Sequence, residues 1–389
     1  MTTPITVTEA RLPDDLDTVL AFTRDLYRDD PCYVPPLDLW VRRRLSQRNP
    51  QLERFAFTLL IARRAGAIVG TISVLRDPGH EKRSGERCAF FGFFECVDDP
   101  AVARALFDAA ESRGRAMGAT TLRGPRNLSR VEEVGILVEG HDTTPPMLAS
   151  HHRRSYPALV ESEGFVPHHD ILAYDIELYL EDGTPRPMPE RLAERAAGCR
   201  IDGLELRPMR WRTLGRDLDL AHRVFVDAFR DVPDNTPMPK RQFAALAGVG
   251  IALASRHMLQ LATIDGEAAG FALCFPELYE ATRAADGRVL PLGWARMAWA
   301  LRSVRTASFK LLGVLPEHRH HGLHAVMIDR AVQGCRDAGF TRLEASLIDG
   351  RNAPMRRIVE SAGMQVYRRY RMYERPIARA VADDTRRRS

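Results

Sequence analysis

The 389-residue sequence has no run of 18 uninterrupted apolar residues, which excludes an ordinary transmembrane span. Cysteine is sparse, with six residues at 32, 88, 96, 199, 274 and 335, none in C-x-x-C spacing. No zinc ribbon is spelled out, and a disulfide framework does not suit so long a chain. Free thiols in a reducing cytoplasm are expected. The N-terminal stretch lacks a basic region followed by an apolar core, so no secretory signal is expected and the expected location is cytoplasmic. Charge is not one-sided either: 56 Lys and Arg against 51 Asp and Glu leave +5. Part of that excess sits in Arg386-Arg387-Arg388. The balance suits an anionic ligand or membrane surface and is too weak to indicate nucleic acid. Hydrophobic residues at 45% and charged residues at 28% exclude a disordered, collagenous or fibrous chain. Ser-His-Asp, Cys-His and paired-metal patterns are also missing.

What is present divides into two similar halves. The turn- and Pro-rich run Glu181–Pro189 reads as the start of a linker over 181–200, with a short helix at Pro189–Ala197. It separates domains at 1–180 and 201–376, and residues 377–389 read as a flexible basic tail. In the first half, strands are expected at Ile5–Ala10, Phe57–Arg63, Ala67–Leu75, Cys88–Cys96, Thr120–Arg123 and Ile171–Leu178. Helices are expected at Pro13–Arg28, Pro100–Met117 and Tyr156–Glu163. The second half repeats the order. Its strands are Leu204–Arg207, Leu259–Ile264, Ala268–Cys274, Ser308–Val314, Arg342–Ile348 and Tyr367–Glu374, and its helices are Leu218–Phe229, Leu323–Ala338 and Pro354–Ala362. Strands alternating with helices favour an α/β fold with a mixed sheet covered by helices.

The most informative stretch runs from Lys310 to Met327. A strand ends at Val314, a basic turn containing Gly322 follows, and a helix begins at Leu323. Backbone N–H groups and a helix N-terminus then converge on one spot, which suits phosphate. Strand, V-x-P, R-x-x-G-x-G/A and helix together resemble the acyl-CoA pyrophosphate loop of the GNAT N-acyltransferase superfamily. Here the motif reads Val314-Leu315-Pro316 and Arg319-His320-His321-Gly322-Leu323-His324. Asn352 after the next strand and Glu360-Ser361-Ala362-Gly363-Met364 extend the likeness over about 200–376.

The resemblance implies two GNAT-like domains in tandem, each a mixed, mostly antiparallel twisted sheet flanked by helices. It implies an acyl-CoA or acetyl-CoA co-substrate, with Leu312, Gly313 and Val314 along the pantetheine. The loop Arg319, His320, His321, Gly322, Leu323, His324 and Ala325 would hold the pyrophosphate, and Asn352 would bond the cofactor or cap a helix. Two departures stand out. His324 replaces the last Gly/Ala, with Ala325 directly after it. Val359 stands where many members carry the tyrosine that reprotonates the CoA thiolate. His318, His320, His321 and His324 are crowded, yet their spacing matches no familiar tetrahedral set, so no metal is expected.

In the first half the matching position reads Glu95-Cys96-Val97-Asp98-Asp99-Pro100, without Gly or Arg and with three carboxylates. That loop would repel a pyrophosphate. The expectation is a GNAT-like domain without a CoA loop, serving to pack or to wall the acceptor pocket. Read together, Ala89–Glu95, Gly124-Pro125, Glu133–Gly140, Pro145-Pro146, Tyr156…Phe165, Met355–Glu360 and Tyr367–Glu374 resemble a bacterial tandem-GNAT group that includes the YghO-like proteins and the bacterial ceramide synthases.

For direct acyl transfer a base must take the amine proton. Glu344, on the fifth strand of the second half and alternating toward Ser346, is the candidate. Tyr370 and Tyr373 on the last strand are the candidate acids. An insertion, Val289–Arg305, reads as a helix from Gly293 with Trp294, Met297, Ala298, Leu301 and Val304 on one face. With Trp299 and its arginines it suits a membrane interface or an acyl-chain channel, or else a packing or dimer helix.

The expected function is N-acylation of a primary amine from an acyl-CoA or acyl-carrier thioester. The resemblance points to a long-chain sphingoid-type amine at the inner membrane face. Acetylation of a small soluble amine and a non-catalytic CoA-binding role are the alternatives.

Overall fold

The computed structural model describes residues 3–49, 51–230, 232, 234, 238–244 and 254–378. Tail residues 379–389 lie outside the described residues. Both halves open with an antiparallel run. In the first, β1 (Ile5–Glu9), β2 (Ala56–Arg64), β3 (Ala67–Arg76) and β4 (Cys88–Cys96) pair in order. In the second, β8 (Leu204–Pro208), β9 (Leu259–Ile264), β10 (Glu267–Pro276) and β11 (Thr306–Val314) do the same. The β2–β3 and β9–β10 hairpins turn over Ala65-Gly66 and Asp265-Gly266, all four residues at positive φ. That left-handed pair matches strand twist and sets each register.

After the hairpins each half makes a parallel crossover through a helix, Pro100–Ala116 in the first and Leu323–Asp337 in the second. The crossovers lead to β5 (Thr121–Gly124) beside β4 and β12 (Arg342–Asp349) beside β11. Asp99 starts the first of these helices by accepting the Ala101 N–H at 2.8 Å.

The last strands are exchanged. β13 (Gln365–Pro376), at the end of the second half, lies against β5 of the first. β7 (Val166–Glu177), the last strand of the first half, lies against β12 of the second. β7 and β13 pair with each other, so twelve strands run continuously as β1-β2-β3-β4-β5-β13-β7-β12-β11-β10-β9-β8, and the short β6 (Ile136–Glu139) pairs with β13. The cores follow the exchange. Tyr373 and Ile377 complete the first-half core, while Leu172 and Tyr174 pack with Ala345, Val359 and Met364 of the second half. The 181–200 stretch is also built in. Leu192 of the Glu190–Ala197 helix is buried, and that helix packs on Leu323–Asp337.

Exchange makes each half depend on the other for its last strand. Tyr373→Ala removes a fully buried aromatic and should cost about 3–5 kcal/mol. Circular dichroism and the fluorescence of the second-half tryptophans should then shift together as one transition. Two separated transitions would contradict the exchange.

Candidate active site

β11 and β12 are parallel partners for only three residues: Thr306 with Arg342, Ala307 with Leu343 and Ser308 with Glu344. Beyond Ser308 they part. β11 stays paired to β10 as far as Val314, while β12 turns to β7 through a register shift after Ala345. The edge of β11 that faced β12 therefore presents unpaired backbone groups to a gap, an arrangement that persists only where something else can bond them. Leu312, Gly313 and Val314 lie along this edge.

A cavity of about 190 Å3 occupies one side of the gap, with walls from Ile328 and Val332 of the crossover helix, Met355 and Val359 of the Ala353–Ser361 helix, and Met188 of the linker. A second cavity of about 130 Å3 lies against Phe225, Phe243, Phe275 and, from the first half, Met147. Both are lined by Lys310, Leu311, Ser346 and Leu347, so they meet where the strands diverge.

At that meeting point four polar side chains alternate along the two strands. The Lys310 ammonium donates to Ser346 Oγ at 2.7 Å and to Glu344 Oε2 at 3.3 Å. The Ser308 hydroxyl donates to the same Glu344 oxygen. Glu344 is 2% exposed, and its Oε1 has no partner among the described residues. The expectation that Glu344 and Ser346 share one face at the gap matches this arrangement. Lys310 was not foreseen, although it is one of only three lysines in the sequence.

The basic loop folds as two turns of 3-10 helix, Pro316–His321, and reverses at Gly322 with φ +78°. A Cβ there would stand 2.3 Å from the Arg195 carbonyl oxygen, so only glycine fits. Leu323 and Ala325 are buried as the helix begins, and His320 and His321 are exposed. Arg319 braces the loop, donating to the Val314 carbonyl at 3.3 Å and to the Ala228 carbonyl at 2.8 Å. His324 is half-buried. Burial first, then the charge of Arg195, lowers its pKa and favours the neutral imidazole. Arg195, from the linker helix, adds a positive charge to the loop that sequence spacing gave no reason to include.

No family model matches the chain. It is 30% identical over 370 residues to Protein YghO of Escherichia coli (strain K12), spanning 94% of this chain and 93% of that protein. It is 30% identical over 381 residues to the Bacterial ceramide synthase of Caulobacter vibrioides (strain NA1000 / CB15N), spanning 96% and 98%. Among solved structures, a tandem GNAT protein from the clavulanic acid biosynthesis pathway aligns with a TM-score of 0.56 at 14% identity, covering 97% of this chain and all 100% of that one. A GCN5-related N-acetyltransferase from Sphaerobacter thermophilus aligns with a TM-score of 0.53 at 16% identity and 98% coverage of both. The chain belongs to the family of Protein YghO and the bacterial ceramide synthase, and its fold is that of the tandem GNAT proteins.

The remaining expected site residues of this GNAT protein fall in different places. Asn352 lines the larger cavity and caps the Ala353–Ser361 helix, its Oδ1 accepting the Met355 N–H at 3.3 Å. Val359 forms an apolar wall of that cavity. Tyr370 is fully buried, its hydroxyl has no partner among the described residues, and burial pushes it up to about 12. The charges of Arg368 and Glu344 act on it. Tyr373 points the other way, into the first half, where its hydroxyl donates to Glu161 at 2.9 Å. Strand exchange is the reason, since this part of β13 pairs with β5.

Among the described residues one group, His168, His169 and Asp234, has ligand atoms within 4.8 Å of one another, a spacing that could hold a metal ion. None of the loop histidines is in it, and Arg351 pairs with its Asp234.

The first half has the same divergence, filled from within. β4 and β5 pair at Cys88, Ala89 and Phe90 and then separate. Asn127 Oδ1 accepts the Phe93 N–H at 2.7 Å, and the Tyr156 hydroxyl accepts the Cys96 N–H at 2.8 Å. Tyr27 and Tyr156 both donate to Glu95, at 2.7 and 2.8 Å. Side chains here take the backbone groups that the second half leaves free.

Gly322→Ala forces a side chain against the Arg195 carbonyl at a positive φ. At about 1–3 kcal/mol of strain, calorimetry should show CoA binding weakened roughly tenfold or more. An unchanged dissociation constant would remove this loop from the binding site.

Proposed function

We propose that this protein moves an acyl group from an acyl-CoA, or an acyl carrier protein thioester, to the primary amine of a long-chain, sphingoid-type acceptor at the inner membrane face. One observation carries the reading. Two largely apolar cavities meet across the β11–β12 gap, one of them beside the helix that follows the basic loop, with Glu344 and Lys310 beside the junction. A thioester entering along β11 puts its pantetheine amides on the free strand edge and its carbonyl at the junction. N–H groups of that edge polarise the carbonyl, and a buried carboxylate on the face that carries Glu344 takes the amine proton. The relative named a bacterial ceramide synthase supports an amine acceptor that carries hydrocarbon.

The membrane part of the reading rests on one surface. Leu290, Leu292, Trp294 and Trp299 are 76%, 61%, 58% and 73% exposed. Arg288, Arg296, Arg302 and Arg305 are exposed around them. Large apolar side chains ringed by cations suit the interface of an anionic bilayer. The insertion departs from the expected single face because its α-helix stops at Ala300. Val304 turns into the core while both tryptophans stay outside. Among the described residues no helix is long and apolar enough to cross a membrane.

Purified protein incubated with mixed acyl-CoAs and a sphingoid base should yield an N-acylated base by mass spectrometry of the lipid extract. CoA binding without that product would sink the lipid acceptor and favour a small soluble amine. Separately, Trp294→Asp with Trp299→Asp should cut turnover of a vesicle-borne amine about tenfold or more and leave a short soluble amine within about twofold. Equal losses on both would contradict membrane docking.

A further inference from the structure

The face that carries Glu344 and Lys310 holds a second carboxylate, supplied by the strand beyond. Glu277 directly follows β10, and its N–H donates to the Thr306 carbonyl at 2.9 Å, which fixes it beside the start of β11. It is 4% exposed. Its Oε1 is fully engaged, accepting the Tyr279 N–H at 3.1 Å and the Met147 N–H at 2.9 Å. Its Oε2 has no partner among the described residues.

Two buried carboxylates, one on β12 and one just past β10 with β11 between them, thus each leave one oxygen unbonded, with Lys310 bonded to one and its charge acting on the other. Unpartnered buried oxygens are costly. An apolar pocket adjoins them: Met147, bonded to Glu277, and Phe275, two residues before it, line that pocket, as do Lys310 and Ser346 beside Glu344. A cationic head on a hydrocarbon body satisfies both features at once.

We propose that the ammonium group of the acceptor docks between Glu277 and Glu344, with its hydrocarbon against Phe225, Phe243 and Phe275, and that Glu277 Oε2 takes the proton that frees the amine for attack. This rests on the N-acyltransferase reading above and deepens it. The ammonium N–H bond breaks and its proton passes to Glu277. The freed lone pair forms the C–N bond at the thioester carbonyl carbon. The C–S bond breaks as the tetrahedral intermediate collapses, and the departing CoA thiolate takes a second proton from nitrogen. Glu277 returns its own proton to solvent.

The division of labour between the carboxylates follows from their partners. Glu344 is held by Ser308 and Lys310, which suits it to keep a cation in place. Among the described residues Glu277 has no cation in hydrogen-bond contact. Burial raises its pKa, Lys310 opposes, Glu344 adds to the rise, and the result is about 7. Among the described residues Tyr367, Arg368 and Tyr370 from β13 and Tyr279, two residues after Glu277, also act at this cluster. A base near neutrality is suited to accept a proton from an amine at working pH.

The test is the pH dependence of kcat/KM, read as thiol release from an acyl-CoA with a long-chain primary amine, from about pH 5 to 9. Wild type should rise to a plateau through an apparent pKa near that of Glu277. Glu277→Gln should lose about 100-fold at neutral pH, lose the acidic limb and keep its CoA dissociation constant. Glu277→Asp should keep the limb at reduced rate, and Glu344→Gln should raise KM and keep the limb. Glutamine retains the oxygen that caps Tyr279, so folding should survive. With the folded pKa raised, the wild-type stability contributed by this group is present below its unfolded pKa and is lost as pH rises through about 7. The glutamine variant should therefore unfold no earlier than wild type at alkaline pH. Glu277→Gln turning over within about threefold of wild type on an unchanged limb would overturn the proposal and leave the acyltransfer reading intact. Wild type releasing thiol with no amine at all would overturn that reading, and this proposal with it.

Discussion

The parting of two parallel strands after three residue pairs is the constraint on which the site depends. A β-strand edge inside a protein must find partners for its backbone groups. β11 is fixed on one side by β10 and abandoned on the other by β12. The resulting slot has a rigid floor, free hydrogen-bonding groups and cavities at both mouths. The candidate site residues Glu344, Lys310 and Asn352 are all placed relative to it. Gly322 lets the chain turn tightly where β11 ends, and Asn352 starts the helix that walls the slot beyond β12.

What keeps the strands apart lies largely in the other half. β7 draws β12 away from β11, and β13 closes the first-half sheet in turn. The segment between β5 and β7 then lies over the shared face, where Met147 reaches Glu277 and Arg130 reaches Asp349. Arg368, fully buried on β13, bonds His151 at 3.1 Å and the Thr143 carbonyl, tying that segment down. A duplicated fold has thus become asymmetric. One slot is stoppered by Asn127, Tyr156 and Glu95, and its owner's loops wall the other slot.

Much of this was legible in the residues. The basic loop with Gly322, the order of strands and helices, both hairpins and the alternation of Glu344 with Ser346 all rest on local chemistry that the sequence displays. The acidic turn of the first half was likewise readable, and Asp99 caps its helix there. The exchange of β7 and β13 was not, because which distant edge a strand joins is set by tertiary packing and leaves no local mark. That is why Tyr373, correctly placed on a strand, lies in the first-half core. Lys310 and Glu277 were hidden differently. A lone lysine in an apolar strand and an acid before a helix both have ordinary surface meanings, and only the register of β10 to β12 brings them together.

The central claim is that the thioester occupies the β11–β12 slot and that the first-half slot stays closed. Amide hydrogen exchange with and without a non-hydrolysable acyl-CoA thioether tests it most directly. New protection should appear at residues 311–315 and 319–326 and be absent from 92–99. Protection in the first half, or none in either, would contradict the account.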